Sequence, residues 1–411
     1  MGLMYFCRMV KKEQSQLEFV ALMAALMSIA ALALDAILPA LDIIGIAVGV
    51  TNPSQNQFLI LFFFLGLGAG PLFFGPISDS VGRKPVVYMG FGLFIFASLL
   101  CVFAPTFELM IIGRILQGIS LSAPRTISIA MIRDKYSGDY MARVMSFVTV
   151  VFIIVPIIAP AMGKWILDFY GWEAIFHVQV LFGVLVSIWF WKRQPETLVP
   201  GKRTSFRANV FINGYRELLN YRQTMLFTII WGFITGSFLV YLSTSQQIFQ
   251  EQYDLKEAFP YIFAALAITI GTSTLLNGTL VLRYGMLRLV TFAMAAYVLI
   301  SLVYIVLFAS SGNPPFGILL TFFALQFFAL GFLFGNLRSL AMEPVGHIAG
   351  IGAAITGFIA TMMGVAISAF IGQFVIESVL PMFIGFLICG LISFGVLAYF
   401  FLGKRSVPSP F

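Results

Sequence analysis

Apolar runs of about twenty residues recur twelve times along this chain, and no other feature restricts its fold so strongly. A bilayer core about 30 Å thick is crossed by roughly 20 residues of helix, the one simple form that satisfies its own backbone in lipid. The runs fall near 17–41, 56–78, 84–104, 107–132, 141–167, 173–192, 225–248, 258–282, 287–309, 315–341, 347–376 and 380–403. With 60% hydrophobic and 10% charged residues, the chain lacks the polar surface a water-soluble domain of this size needs. The first run is too long for the apolar region of a signal peptide and is read as a retained span.

Charge orients these spans. Of the 24 Lys and Arg, Arg114 and Arg125 lie inside runs, and Lys164 and Lys256 fall on one side. The remaining twenty sit at the termini and in the loops after runs 2, 4, 6, 8 and 10 or at their edges. Basic residues collect on the cytoplasmic side, so both termini are expected there. The net charge of +7 then reflects topology and gives no case for nucleic-acid binding. The polar stretch 193–223 divides the chain into spans 1–192 and 224–411 and reads as a cytoplasmic linker, partly an amphipathic helix on anionic lipid.

Each half repeats one pattern at the end of its second span. Gly75-x₃-Asp79-x₂-Gly82 aligns with Gly278-x₃-Leu282-x₂-Gly285. Two related six-span halves are a common transporter plan, with the binding site at midplane between them. Gly75 and Gly82 are expected to permit a tight turn, with Asp79, Arg83 and Lys84 beside it.

Several stretches carry a family likeness. GPISDSVGRKP (75–85) is similar to a signature of the loop between spans 2 and 3. GRILQG (113–118) matches a fourth-span signature and ALDAILPAL (33–41) a first-span acid–proline signature. GWEAIF (171–176) and PET (195–197) flank span 6, and GHIAGIGAAITG (346–357) opens span 11. On these grounds the chain resembles the major facilitator superfamily throughout its length, nearest in pattern to its twelve-span drug:proton antiporters of the Bcr/CflA type. The resemblance implies an all-α integral membrane protein with 12 transmembrane helices in two pseudo-symmetric six-helix bundles, working as a monomer in a bacterial inner membrane. It also implies a gate in which Asp79 pairs with a basic residue such as Arg133 and faces the start of span 11 near Ala349 and Gly350. VPIIAPAMG (155–163) is similar to the superfamily's antiporter signature but has Val155, Ala159 and Lys164 where that signature prefers glycine. Its Pro156, Pro160 and Gly163 are candidate hinge residues, because proline frees backbone carbonyls and kinks a helix.

Chemistry inside the spans is sparse. Asp35 shares its run with Ser28 as the only other polar residue from 19 to 41. An intramembrane carboxylate is a functional candidate by default, and one that can take up and release a proton as its surroundings change. Asp35 and Arg114 each lie about 9 Å in from the outer ends of their spans, so they could meet if spans 1 and 4 are neighbours. Arg125, about 16 Å beyond Arg114 on the same face, is expected to line a cavity, as a structural anchor or a contact for an anionic substrate group. By resemblance, Arg114 influences proton coupling. Gly118 permits close helix approach. Gln117, Gln326 and Asn336 are polar candidates for the cavity wall, each also suited to a helix–helix hydrogen bond, and Phe238 and Tyr241 are aromatic ones.

Nucleotide-binding, metalloprotease and serine-hydrolase signatures are missing from the sequence. Cys7, Cys101 and Cys389 have no paired spacing, and His177 and His347 stand far apart, so neither a disulfide framework nor a metal site is indicated. The expected function is therefore not enzymatic: proton-coupled export of small amphipathic or drug-like molecules, needing no cofactor beyond a proton gradient. A dedicated exporter of a siderophore, sugar or other metabolite, and a non-transporting membrane sensor or assembly partner, are the alternatives.

Overall fold

A computed structural model describes residues 14–199, 201, 203 and 208–405. Cys7 and the basic residues Arg8, Lys11, Lys12, Lys202 and Arg207 lie outside them. Every regular element among the described residues is helical. In chain order the helices are α1 (Gln16–Asp35), α2 (Leu41–Ala47), α3 (Gln57–Ala69), α4 (Pro71–Val81), α5 (Arg83–Val102), α6 (Phe107–Lys135), α7 (Gly138–Tyr170) and α8 (Trp172–Arg193). After these come α9 (Ala208–Asn220), α10 (Arg222–Gln246), α11 (Phe259–Tyr284), α12 (Met286–Phe308), α13 (Phe316–Met342), α14 (Ala349–Gly372) and α15 (Leu380–Arg405). Eleven helical segments are long and apolar enough to cross a membrane; the longest, Phe316–Gly372 with 57 residues, contains both α13 and α14. They meet at a short 3₁₀ turn, Glu343–Ile348, where Val345 leaves helical geometry and Pro344 cannot continue the α13 hydrogen-bond ladder.

Caps and links follow from local chemistry. Ser15 accepts the backbone N–H of Glu18 at 3.2 Å and starts α1. Thr106 does the same for Leu109 at 3.4 Å at the head of α6. The stretch expected as a turn at 75–82 is instead helical through Val81, with Gly75 inside α4. The turn is Gly82 alone, at φ 111°, where a side chain would be strained. Gly285, its aligned partner, joins α11 to α12 in the same way at φ 80°. α7 runs unbroken through Pro156 and Pro160.

In lipid, helices associate through close contact and polar bonds, because the tails are as apolar as the side chains. The α3–α6 contact illustrates this: a Cβ on Gly118 would overlap the carbonyl of Phe63, and one on Gly66 would overlap that of Ile115. α6 also packs on α1 and α5, and α1 on α7 and α8. α10 packs on α13, α14 and α15, and α12 on α13 and α15. The two groups meet where α14 touches α3 and α4 and where α7 touches α11. α9, expected to lie on lipid, puts Leu218 into a small apolar cluster with Val345 and Ile355, and Gly214 against Ile351. Leu218 and Gly214 of α9 are thus covered from the start of α14.

Candidate functional site

Two cavities that share Leu67 and Arg125 in their walls lie between these groups. The larger, about 700 Å³, is walled by α4, α6, α10, α13 and α14 and includes Asp79, Arg125, Arg133, Trp231 and Arg338. It reaches the surface at Gly346, His347 and Gly350, which are exposed, on the side bearing Gly82. The smaller, about 450 Å³, lies deeper and is mostly apolar and rich in aromatic rings, with Asp35, Phe63, Phe238, Tyr241, Phe263 and Phe327 in its wall. Arg125 belongs to both walls.

Beyond Asp35 the two groups close on each other. Lys164 bonds Asp168 at 2.7 Å and reaches across to Glu257 at 3.0 Å. Gln250 donates across to the Pro39 carbonyl at 3.5 Å, and within one group Gly163 lies against the carbonyl of Ala36, leaving no room for a Cβ. The cavity system is therefore open at the Gly82 end and blocked at the Lys164 end.

Asp35 sits at the last position of α1, buried at 4% exposure. It forms no ion pair or hydrogen bond among the described residues and faces the aromatic chamber. Tyr241 lines the same chamber, and among the described residues its buried hydroxyl has no hydrogen-bond partner. Its ring stacks into a cluster with Phe263, Phe323 and Phe327. Phe238 packs on Tyr241, Phe327 and Phe334. Both aromatics line this cavity.

Arg114 does not meet Asp35. It is fully buried and donates to the carbonyls of Leu59 at 2.9 Å and Ala33 at 3.2 Å, and to Gln117 Oε1 at 2.7 Å, with its guanidinium over the Phe63 ring. Backbone acceptors are available one helix away, whereas the carboxyl turns into the chamber. Gln117 is likewise not a cavity residue: its amide donates to Ser98 at 2.8 Å and Gln179 at 3.3 Å. Gln326 bonds Ser301 at 3.0 Å and the Tyr297 carbonyl at 3.3 Å. Asn336 donates to Asn277 at 2.7 Å. These three amides tie helices together, as buried polar side chains in spans commonly do, and none lines either cavity.

At the open end, Asp79 pairs with Arg83 at 2.5 Å, four residues on, and not with Arg133. Arg83 is the hub: buried at 3% exposure, it also bonds Asp134 at 2.9 Å and the Ser78 hydroxyl at 2.8 Å. Asp134 accepts Thr197 at 3.0 Å, and Glu196 accepts the N–H groups of Arg83 and Lys84, each at 3.0 Å, capping α5. PET (195–197) thus fastens the end of α8 to α4, α5 and α6. Arg133 faces the cavity instead, where Asp79 and the Ala349–Gly350 end of α14 also lie. Pro156 lines the aromatic chamber. Arg338, taken from sequence as a loop charge, is the residue the reading missed; its place inside the run 315–341 was the available signal.

A polytopic helical protein with a charged, aromatic-lined cavity between two helix groups, closed at one end, is a membrane transporter by architecture. The chain matches the Major Facilitator Superfamily over residues 20–369, and it belongs to that family. Its relatives include the bicyclomycin resistance protein homolog of Haemophilus influenzae, 27% identical over 87% of this chain and 89% of that one. The multidrug resistance protein MdtL of Citrobacter koseri is 27% identical over 82% and 84%. Among solved structures, the nucleoside transporter NupG superposes with a TM-score of 0.69 at 13% identity, over 93% of this chain and 98% of that one. The human organic anion transporter MFSD10 gives 0.62 at 17%, over 92% and 98%. Superfamily membership makes this a transporter and not an enzyme, with no cofactor required.

Proposed function

We propose that this protein exports small amphipathic molecules from the bacterial cytoplasm in exchange for protons, by alternating access. The observation that carries this reading is Asp35, a buried carboxyl unpaired among the described residues, in the wall of an aromatic chamber between the two helix groups. In such a chamber Asp35 can trade a proton for a negative charge without breaking any ion pair, so proton arrival and substrate loading compete for one place. The resistance functions named for two relatives support drug-like substrates.

In this mechanism the bent segment Phe316–Gly372 crosses twice, at about 1.5 Å per residue in each arm, giving twelve spans in two six-helix bundles, 1–192 and 224–411, joined by 193–223. The positive-inside distribution puts Gly82, Arg83 and both termini in the cytoplasm. The conformation described is then inward-facing, with the Lys164–Glu257 pair and the Gln250–Pro39 hydrogen bond sealing the outer face. A proton reaching Asp35 from outside removes its charge and favours return to this state; its loss to the cytoplasm accompanies substrate loading. Arg114 acts on the proton site indirectly, by holding the Ala33 carbonyl two residues before Asp35. Pro156 and Pro160 give α7 the freedom to bend between states, and the Arg83 hub keeps the cytoplasmic ends of one bundle rigid as it rocks.

The test is export by purified protein in proteoliposomes with an imposed pH gradient. Asp35→Asn should abolish gradient-driven export while the protein remains folded and monodisperse. Export by that variant at the wild-type rate would sink the proposal.

A further inference from the structure

Resting on the transporter reading, we propose that Arg125 and Arg338 form an anion site, so the substrate is an amphipathic molecule with an acidic group and an aromatic or apolar body. The two guanidinium groups come from α6 and α13, one from each helix group, and both line the 700 Å³ cavity. Neither forms an ion pair with a carboxylate among the described residues. Asp79, the carboxylate in that wall, is held by Arg83, and Arg133 adds positive charge. Like charges facing each other in a partly desolvated cleft are costly without a counter-charge. The planar fork of arginine matches carboxylate, sulfonate or phosphate oxygens in a two-point bond.

Position extends the argument. Arg125 is shared by the open cavity and the aromatic chamber, so an anion held there can place its apolar body among Phe238, Tyr241 and Phe327. Trp231, 6.0 Å from the Arg338 guanidinium, keeps that side chain over the cavity. Asp35 lies in the chamber wall, where a second anionic group would be repelled and a neutral ring would not. The site therefore sorts by both charge and shape: an acid at the arginines, an uncharged ring beyond them.

Equilibrium binding to the purified full chain in phosphatidylcholine nanodiscs tests this, with naphthalene-2-sulfonate, its neutral analogue naphthalene-2-sulfonamide, and (naphthalen-2-ylmethyl)trimethylammonium. The sulfonate should bind about tenfold tighter than the other two, and more weakly as salt rises. Arg125→Gln and Arg338→Gln should each weaken sulfonate binding far more than sulfonamide binding and so remove that preference. Arg125→Lys, which keeps the charge but not the fork, should fall between. Equal binding of all three probes by wild type, no sulfonate binding, or equal losses for sulfonate and sulfonamide in both Gln variants overturns the proposal. The wild-type probe series decides the matter even where a variant fails to fold. Nanodiscs containing phosphatidylglycerol separate two sources of the same chemistry: arginine-dependent competition by this lipid assigns the site to an anionic headgroup, and its absence to a soluble acid. Binding needs no gradient, so arginine-dependent sulfonate binding without gradient-driven export would refute antiport and leave the anion site standing. Gradient-driven export with no preference for the sulfonate would do the reverse.

Discussion

Arg114 and Arg125 stand on one helix, three turns apart, and have opposite surroundings. Arg114 is sealed and bonded to Leu59, Ala33 and Gln117 on three sides. Arg125 borders two cavities and has no carboxylate partner among the described residues. A charge buried in a membrane protein must be neutralised by the fold or by something that binds. Arg114 belongs to the first kind and Arg125 to the second, and the same division separates Gln117 from Asp35. The lesson is that burial alone does not mark a functional charge; burial beside open space without a partner does.

The sharpest break of this comparison is truncation of both arginines. Arg114→Ala leaves Gln117 Oε1 without its donor, about 1–3 kcal/mol, and opens a void where a fully buried long side chain stood, about 2–5 kcal/mol more. Together these approach the whole stability margin of an ordinary fold, about 5–15 kcal/mol. The variant should give little monodisperse protein by size-exclusion chromatography and a much lower thermal midpoint. Arg125→Ala removes a repulsion and strands nothing, so its midpoint should stay at or slightly above the wild-type value. Equal loss of folded protein in the two variants would erase the distinction.

A second contrast lies between the aligned turns at Gly82 and Gly285. Their backbones agree, yet the first is bound by the Arg83 hub and the second presents Leu282 to the surroundings at 89% exposure. Arg83→Ala removes bonds to Asp79, Asp134 and Ser78, where each charged hydrogen bond contributes about 1.5–3 kcal/mol. Because Asp79 is only one of three acceptors and is half-exposed, Asp79→Asn should cost less. Leu282→Ala should leave the thermal midpoint unmoved. If Asp79→Asn proves more damaging than Arg83→Ala, the acid and not the arginine is the hub.

The spans were legible because a bilayer imposes one length and one polarity on every crossing, and Gly82 and Gly285 because positive φ selects glycine. Asp35, Phe238 and Tyr241 all line the deeper cavity. The amides do not: Gln117 finds Ser98 and Gln179 at separations of 19 and 62 residues, pairings that no local pattern announces. The partner named for Asp79, Arg133, comes from the family resemblance; in this structure Asp79 pairs with Arg83 across the Gly82 turn. Arg338 was missed because its charge already fitted the positive-inside pattern, and a residue that satisfies one rule invites no search for a second.

The weakest of these effects separates charge from hydrogen bonding at a single cap. Partial burial works to raise the Glu196 carboxyl. Bonds from the backbone N–H groups of Leu198, Lys84, Arg83 and Thr197 outweigh it and hold the group below the usual carboxylate range. The sign follows from that depression. The protonated form binds less well in the folded state, so the charged cap stabilises fully above about pH 4.3 and is lost as pH falls through the lower, folded value. Glu196 is exposed, so solvent screens the helix-end interaction to about 0.5 kcal/mol. Glu196→Gln keeps an acceptor but no charge, and should lower the thermal midpoint slightly at neutral pH. That gap between wild type and variant should close on acidification below the carboxylate range, because protonation makes the two side chains alike at the head of α5. A gap that persists at acid pH would assign the effect to geometry and not to the helix-end charge.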